Sequence, residues 1–172
     1  MKDKTLYIMC GIPGSGKTYM AKHFLMRGSG WRYISRDEIR LDFLGDDEEY
    51  FAHEDEVFDI FIYKIREALN NADTFNVIAD ATHLNWASRR KLLANISEEG
   101  INLHNIYIVP VMINCPFEIA GARNAARQGR ACVPENTLEK MYYRMTDPNS
   151  DPFIYDGILY LNNDVESWVS SM

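Results

Sequence analysis

The chain has 172 residues, with 18 Lys and Arg against 25 Asp and Glu for a net charge of −7, and is 47% apolar and 25% charged. This is a soluble globular mixture, and no run approaches the ~20 consecutive apolar residues of a membrane span. The first residues lack a signal-peptide pattern, and Cys10, Cys115 and Cys132 have neither paired number nor zinc spacing, so membrane, secreted and zinc-finger classes are excluded and a reduced, cytoplasmic protein is expected.

Residues 5–10 form a short apolar run stopped by Gly11, which predicts a buried strand. A glycine-rich turn follows, then a helical pattern from Lys17 to about Met26, ended by Gly28, Ser29 and Gly30. Residues 31–34 read as a second strand. Ser35 followed by Glu38 three residues later fits a capping box, so a helix begins at Arg36. Beyond an acidic linker (45–49), residues 54–69 form a long helix with Val57, Phe61, Ile65 and Ala68 on one face. Residues 75–79 make a third strand ending at Asp80, 86–96 a helix, and 105–113 a fourth strand interrupted by Pro110. Pro116 and Pro134 each open a helix, the second with the apolar stripe Leu138, Met141, Tyr142 and Met145. Residues 157–161 form the last strand and 165–169 a short terminal helix. Strands alternating with helices predict an α/β fold: one domain over residues 1–172, with a parallel sheet of about five strands covered by helices on both faces.

Gly11, Ile12, Pro13, Gly14, Ser15, Gly16, Lys17 and Thr18 match the P-loop pattern between predicted strand and predicted helix. Glycines let backbone N–H groups wrap phosphate oxygens, and the helix N-terminus adds its dipole. Lys17 reaches the β- and γ-phosphates of a nucleoside triphosphate, and the Thr18 hydroxyl ligates Mg²⁺.

The remaining chemistry is expected after the carboxyl ends of the strands. Asp37 and Arg40 follow strand two, three apart and hence on one helix face, as base and cation for an anionic acceptor, or as a dipole-complementing ion pair. Asp80 ends strand three, where a P-loop protein has either a magnesium aspartate or part of the acceptor pocket. His83 is given no chemical role. Arg123, Arg127 and Arg130 fall at i, i+4 and i+7, which puts them on one face if the helix runs that far, before a mobile loop at Gln128 and Gly129. Such a segment can close over nucleotide phosphates as a lid. Arg89, Arg90 and Lys91 read as a solvated basic face. Charge is unevenly spread: residues 37–59 hold eleven acidic side chains against Arg40 alone, a local −10, which leaves about +3 elsewhere. Net charge therefore does not exclude an anionic substrate.

Together GIPGSGKT, YISRDEIR (33–40), VIADATHLNWASRR (77–90), RNAAR (123–127) and VPENTLEKMYYRM (133–145) resemble, in order and over about 135 residues, the kinase domain of the bacteriophage polynucleotide 5′-kinase family. The resemblance implies a P-loop kinase fold with an arginine-bearing lid and ATP-dependent phosphorylation of a DNA or RNA 5′-hydroxyl. By motif it makes Asp37 the general base and Arg40 the holder of the acceptor's 3′ phosphate, with Asp80 among the substrate contacts. Arg127 becomes the lid arginine on the donor phosphates, with Arg123 nearby. The D-x-D-G-T phosphatase motif of bifunctional members is absent from the sequence. A kinase of a small hydroxyl compound (nucleoside, sugar or antibiotic) is the alternative. A third reading, an NTP-driven binding module, expects an Asp-Glu pair after strand three, where Asp80 and Ala81 stand.

Overall fold

The computed structural model describes residues 2–45, 48–98, 100–127 and 129–163; the helix predicted over 165–169 lies outside them. Five parallel strands, β1 (Lys4–Cys10), β2 (Trp31–Ser35), β3 (Asn76–Asp80), β4 (Ile106–Asn114) and β5 (Leu159–Asn162), lie in the order β2-β3-β1-β4-β5. Between them run α1 (Lys17–Met20), α2 (Arg36–Phe43), α3 (Glu54–Asn70), α4 (Trp86–Ser97), α5 (Phe117–Ala125) and α6 (Glu135–Tyr143). The turn after α1, Ala21–Leu25, is π-helical.

Strand alternation divides the core. Leu6, Ile8 and Cys10 of β1 with Val77 and Ala79 of β3 face Val57, Phe61 and Ile65 of α3 and Leu92 and Ile96 of α4. Met9, Ile78, Val111 and Ile113 point the other way, onto Met20 and Ala21. The central strands are thus buried on both faces, which is why they read as unbroken apolar runs. The predicted stripe on α3 is fully used, each large side chain contributing about 1.5–3 kcal/mol by leaving water.

Several local expectations shift. Pro110 does not interrupt β4, which runs unbroken and pairs Pro110 with Ile8 of β1. The Ile108 N–H, two residues earlier and so on the same edge, donates to the Asp156 carboxylate at 2.8 Å. The β5 ladder starts only at Val111, so the missing proline N–H falls where no strand needs it. Pro116 and Pro134 sit one residue before their helices, as caps. The Ser35 hydroxyl accepts from the Glu38 N–H at 3.2 Å, but the Glu38 carboxylate pairs with Lys22 instead of closing the box. On α6, Leu138 is buried and Met141 packs beside it, while Tyr142 faces outward.

The largest departure is Arg89. Expected in solvent, it is completely buried, and its Nε and Nη2 donate to the Asp151 carboxylate at 2.7 and 2.6 Å. Its Nη1 donates to the His83 carbonyl at 2.9 Å and its Nη2 to Thr146 Oγ1 at 3.0 Å. Full satisfaction by a bidentate carboxylate and backbone makes such burial tolerable, and ties α4 to the segment before β5. Arg90 and Lys91 are exposed as expected. Among the described residues no helix is long and apolar enough to cross a membrane.

Candidate active site

The glycine-rich turn joins β1 to α1 and lies against neighbours that only glycine permits. Gly14 has φ 81°, and a Cβ there would stand 2.1 Å from the Ala120 carbonyl oxygen. Gly16 has φ 90°, with its hypothetical Cβ 2.0 Å from the Asn163 amide nitrogen. Both positions combine a left-handed backbone with backbone close to a neighbour, so side chains are excluded twice over. Asn163, just past β5, donates to the Ser15 carbonyl at 2.5 Å, and Gly11 N–H donates to the Thr82 carbonyl at 2.9 Å. The turn is therefore braced from the ends of two other strands.

Lys17 is half-buried, its ammonium donating to the Ile12 carbonyl at 3.0 Å. Withdrawal from water pushes its pKa down, against the attraction of Asp80 and Asp37. Thr18 Oγ1 and the Tyr33 hydroxyl both donate to Asp80 Oδ2, at 2.9 and 2.5 Å. Burial raises the Asp80 pKa, and Lys17 and the two hydroxyls oppose that rise. A hydroxyl beside a carboxylate suits Mg²⁺, a hard cation that keeps several waters and takes one or two protein ligands alongside phosphate oxygens. Among the described residues no group of three or more His, Cys, Asp or Glu is placed to hold a metal ion.

Asp37, in the first turn of α2, is exposed, and its Oδ1 accepts from Arg40 Nη1 at 2.5 Å. Arg40 is buried, and Nε and Nη2 donate to Glu54 Oε1 and Oε2 at 2.6 and 3.0 Å. Glu54 also accepts from Arg36 Nη2 at 2.9 Å, while Arg36 Nε is buried without a hydrogen-bond partner among the described residues. Arg36, Tyr33, Glu54 and the bracing Asn163 escaped the sequence reading. The only hint of Glu54 was the acidic block around Arg40.

On the opposite wall, α5 ends at Ala125, so Arg123, Arg127 and Arg130 do not share one helical face. Arg123 is on the helix and Arg127 in the loop beyond it; Gln128 lies outside the described residues. The buried Asn124 amide closes that loop, donating to the Val133 carbonyl at 2.7 Å and accepting from its N–H at 3.1 Å. A single cavity of about 600 Å³ collects Gly14, Gly16, Lys17, Thr18, Asp37, Arg40, Asp80, Arg123 and Arg127. Pro13 also reaches its wall, whereas Gly11, Ile12 and Ser15 of the same turn are buried and do not line it.

The sequence profile described as AAA domain matches residues 6–148, most of the chain. The chain belongs to the AAA domain family. No curated protein matches it. The structure of this AAA domain protein is similar to a chain of the Pnkp1/Rnl/Hen1 RNA repair complex, with a TM-score of 0.67 at 23% identity, over 84% of this chain and 44% of that one. The protein thus spans less than half of that relative's length. A fungal RNA kinase aligns with TM-score 0.64 at 13% identity, over 96% of this chain and 78% of that one. A gluconokinase from Sinorhizobium meliloti aligns with TM-score 0.53 at 16% identity, over 99% and 90%. These likenesses establish the P-loop kinase fold.

His83 follows β3 in a left-handed backbone (φ 37°) and is buried. Its Nδ1–H donates to the Met9 carbonyl at 2.9 Å, so the ring bridges β1 and the loop after β3. Burial first, then the nearby cations, push its pKa down to about 4. A folded pKa below the unfolded value of about 6.5 means the unfolded chain takes up the proton first. The contribution of His83 is therefore whole above pH 6.5 and is lost, by about 3 kcal/mol, as pH drops to 4. Asparagine tolerates this backbone and does not titrate. In urea unfolding, His83→Asn should flatten this part of the stability profile between pH 6.5 and 4; an unchanged slope would assign it to other groups.

Proposed function

We propose that the protein is an ATP-dependent kinase of polynucleotide 5′-hydroxyl ends, DNA or RNA, of the type its motifs resemble. The observation that carries this reading is the cavity in which Lys17 and Thr18, Asp37 and Arg40, and Arg123 and Arg127 line one space. Groups to hold a donor, a carboxylate and a set of cations converge there from separate elements, which is what in-line phosphoryl transfer requires of a protein.

The P-loop amides and Lys17 hold the β- and γ-phosphates of ATP, and Arg123 and Arg127 approach them from the other wall. Asp37, tethered by Arg40, takes the proton of the acceptor hydroxyl as its oxygen bonds to the γ-phosphorus and the bond to ADP breaks. Arg127 neutralises charge on the transferring group. Mg²⁺, when bound, neutralises the donor's phosphate oxygens; Thr18 and Asp80 would hold it. That assigns Asp80 to the donor side rather than to the acceptor. A phosphate 3′ to the reacting hydroxyl is held by Arg40 and the partly unpaired Arg36, in competition with Glu54.

The test is γ-phosphate transfer to a nucleoside, its 3′-nucleotide, a 5′-hydroxyl oligonucleotide and gluconate. The 3′-nucleotide should exceed the nucleoside by roughly tenfold to a hundredfold in kcat/KM, the worth of a charge-assisted contact of about 1.5–3 kcal/mol. Asp37→Asn should lower kcat by roughly 10²–10⁴ on the good acceptors. Equal rates on nucleoside and 3′-nucleotide, or transfer to gluconate alone, would refute the polynucleotide reading in favour of a small-molecule kinase.

A further inference from the structure

Two aromatic rings stand beside the Asp37–Arg40 pair with no part in the phosphoryl chemistry. Tyr50 and Phe51, just before α3, pack edge to face with centroids 4.9 Å apart, and both line the cavity. The Arg40 guanidinium carbon lies 4.6 Å from the Tyr50 ring centre and 5.2 Å from that of Phe51. Arg40 Nη1 donates to the Tyr50 hydroxyl at 3.3 Å, and the same nitrogen donates to Asp37. One buried guanidinium thus ties the carboxylate to both rings. Phe51 nevertheless keeps 52% of its surface exposed. A phenylalanine alone on a convex surface needs no explanation; here the ring is in the wall of a cavity and held by a cation.

We propose that Tyr50 and Phe51 form the platform on which the terminal nucleobase of the acceptor stacks, and so determine acceptor specificity; this rests on the polynucleotide reading above. In a nucleoside the base and the 5′-hydroxymethyl group lie on the same side of one sugar ring. A hydroxyl delivered to Asp37 therefore brings its base within a sugar's width of the same spot, where the two rings stand. Every base has a π-face, so stacking accepts any sequence while rewarding the presence of a base. Arg40 draws on the rings' electron density and leaves the open Phe51 surface to an electron-rich partner.

The experiment compares transfer from ATP to a deoxynucleoside 3′-phosphate and to its abasic counterpart, 1,2-dideoxyribose 3-phosphate, which has no anomeric hydroxyl and so keeps the furanose ring, the free 5′-hydroxyl and the phosphate. Wild type should favour the base-bearing acceptor by roughly tenfold or more in KM. Phe51→Ala, checked for fold by circular dichroism, should bring that ratio close to one through acceptor KM rather than kcat. Phe51→Trp, which keeps a ring at the same place, should retain the preference. A wild type indifferent to the base, or a Phe51→Ala protein that keeps the preference, overturns the platform and leaves the kinase reading standing. Absence of transfer to either acceptor overturns both.

Discussion

Lys17→Ala is expected to lower turnover by at least roughly 10³-fold with every acceptor, while the protein stays folded. A single donor aimed at developing charge is worth about 10²–10³ in rate, and a full cation next to the β- and γ-phosphates contributes more. The fold should tolerate the change. The Lys17 ammonium is bonded to the Ile12 carbonyl within its own turn, and it already loses part of its solvation there. Alanine removes that desolvated charge without opening the core, which is built from the sheet faces and from α3 and α4. Thermal unfolding and circular dichroism should therefore match wild type. A folded variant with near wild-type turnover would show that the turn is not the donor site.

Arg127→Ala should cost roughly 10³–10⁵ in kcat, the range of arginines that stabilise phosphoryl transfer. Arg127 lies two residues past the end of α5, is exposed, and pairs with no acidic group among the described residues. Its charge nonetheless acts on Lys17, helping to lower that ammonium's pKa. The guanidinium thus lines the same cavity as Lys17 and is uncommitted, unlike Arg40 and Arg89, which carboxylates hold bidentately. Arg130→Ala is the comparison and should change kcat far less. Single-turnover transfer of the γ-phosphate measures the step itself. Equal, mild losses at Arg123, Arg127 and Arg130 would indicate a basic surface without a catalytic part.

The elements near the site were legible because their determinants are local. Gly11 to Thr18 carries its own backbone requirement, and the structure confirms glycine at positions that admit no Cβ. Ser35 caps α2 through the Glu38 N–H, which starts the helix at Arg36 and brings Asp37 and Arg40 together one turn apart. The apolar runs of β1 and β3 reflect burial on two faces, so a parallel sheet followed from them directly.

Other features depend on partners far along the chain. Arg89 looked solvated because it stands beside Arg90 and Lys91, and Asp151, 62 residues away, is what lets it be buried. Asn163 holds the glycine-rich turn from 148 residues away. Pro110 looked like a break because nothing local says that β5 begins only at Val111. The same holds for Glu54, which lies in an acidic block that reads as solvated until α3 packs against α2 and brings its carboxylate to Arg36 and Arg40. What the sequence determined by itself was the alternation of strands and helices, the phosphate-binding turn and the Asp37–Arg40 spacing, each set by φ preference, capping or periodicity over a few residues. The strand order, the buried Arg89–Asp151 pair and the meeting of Tyr50, Phe51 and Glu54 with Arg40 were decided only in the tertiary structure. Charges and rings acquire partners there through packing of separate elements, and no local preference encodes which ones will meet.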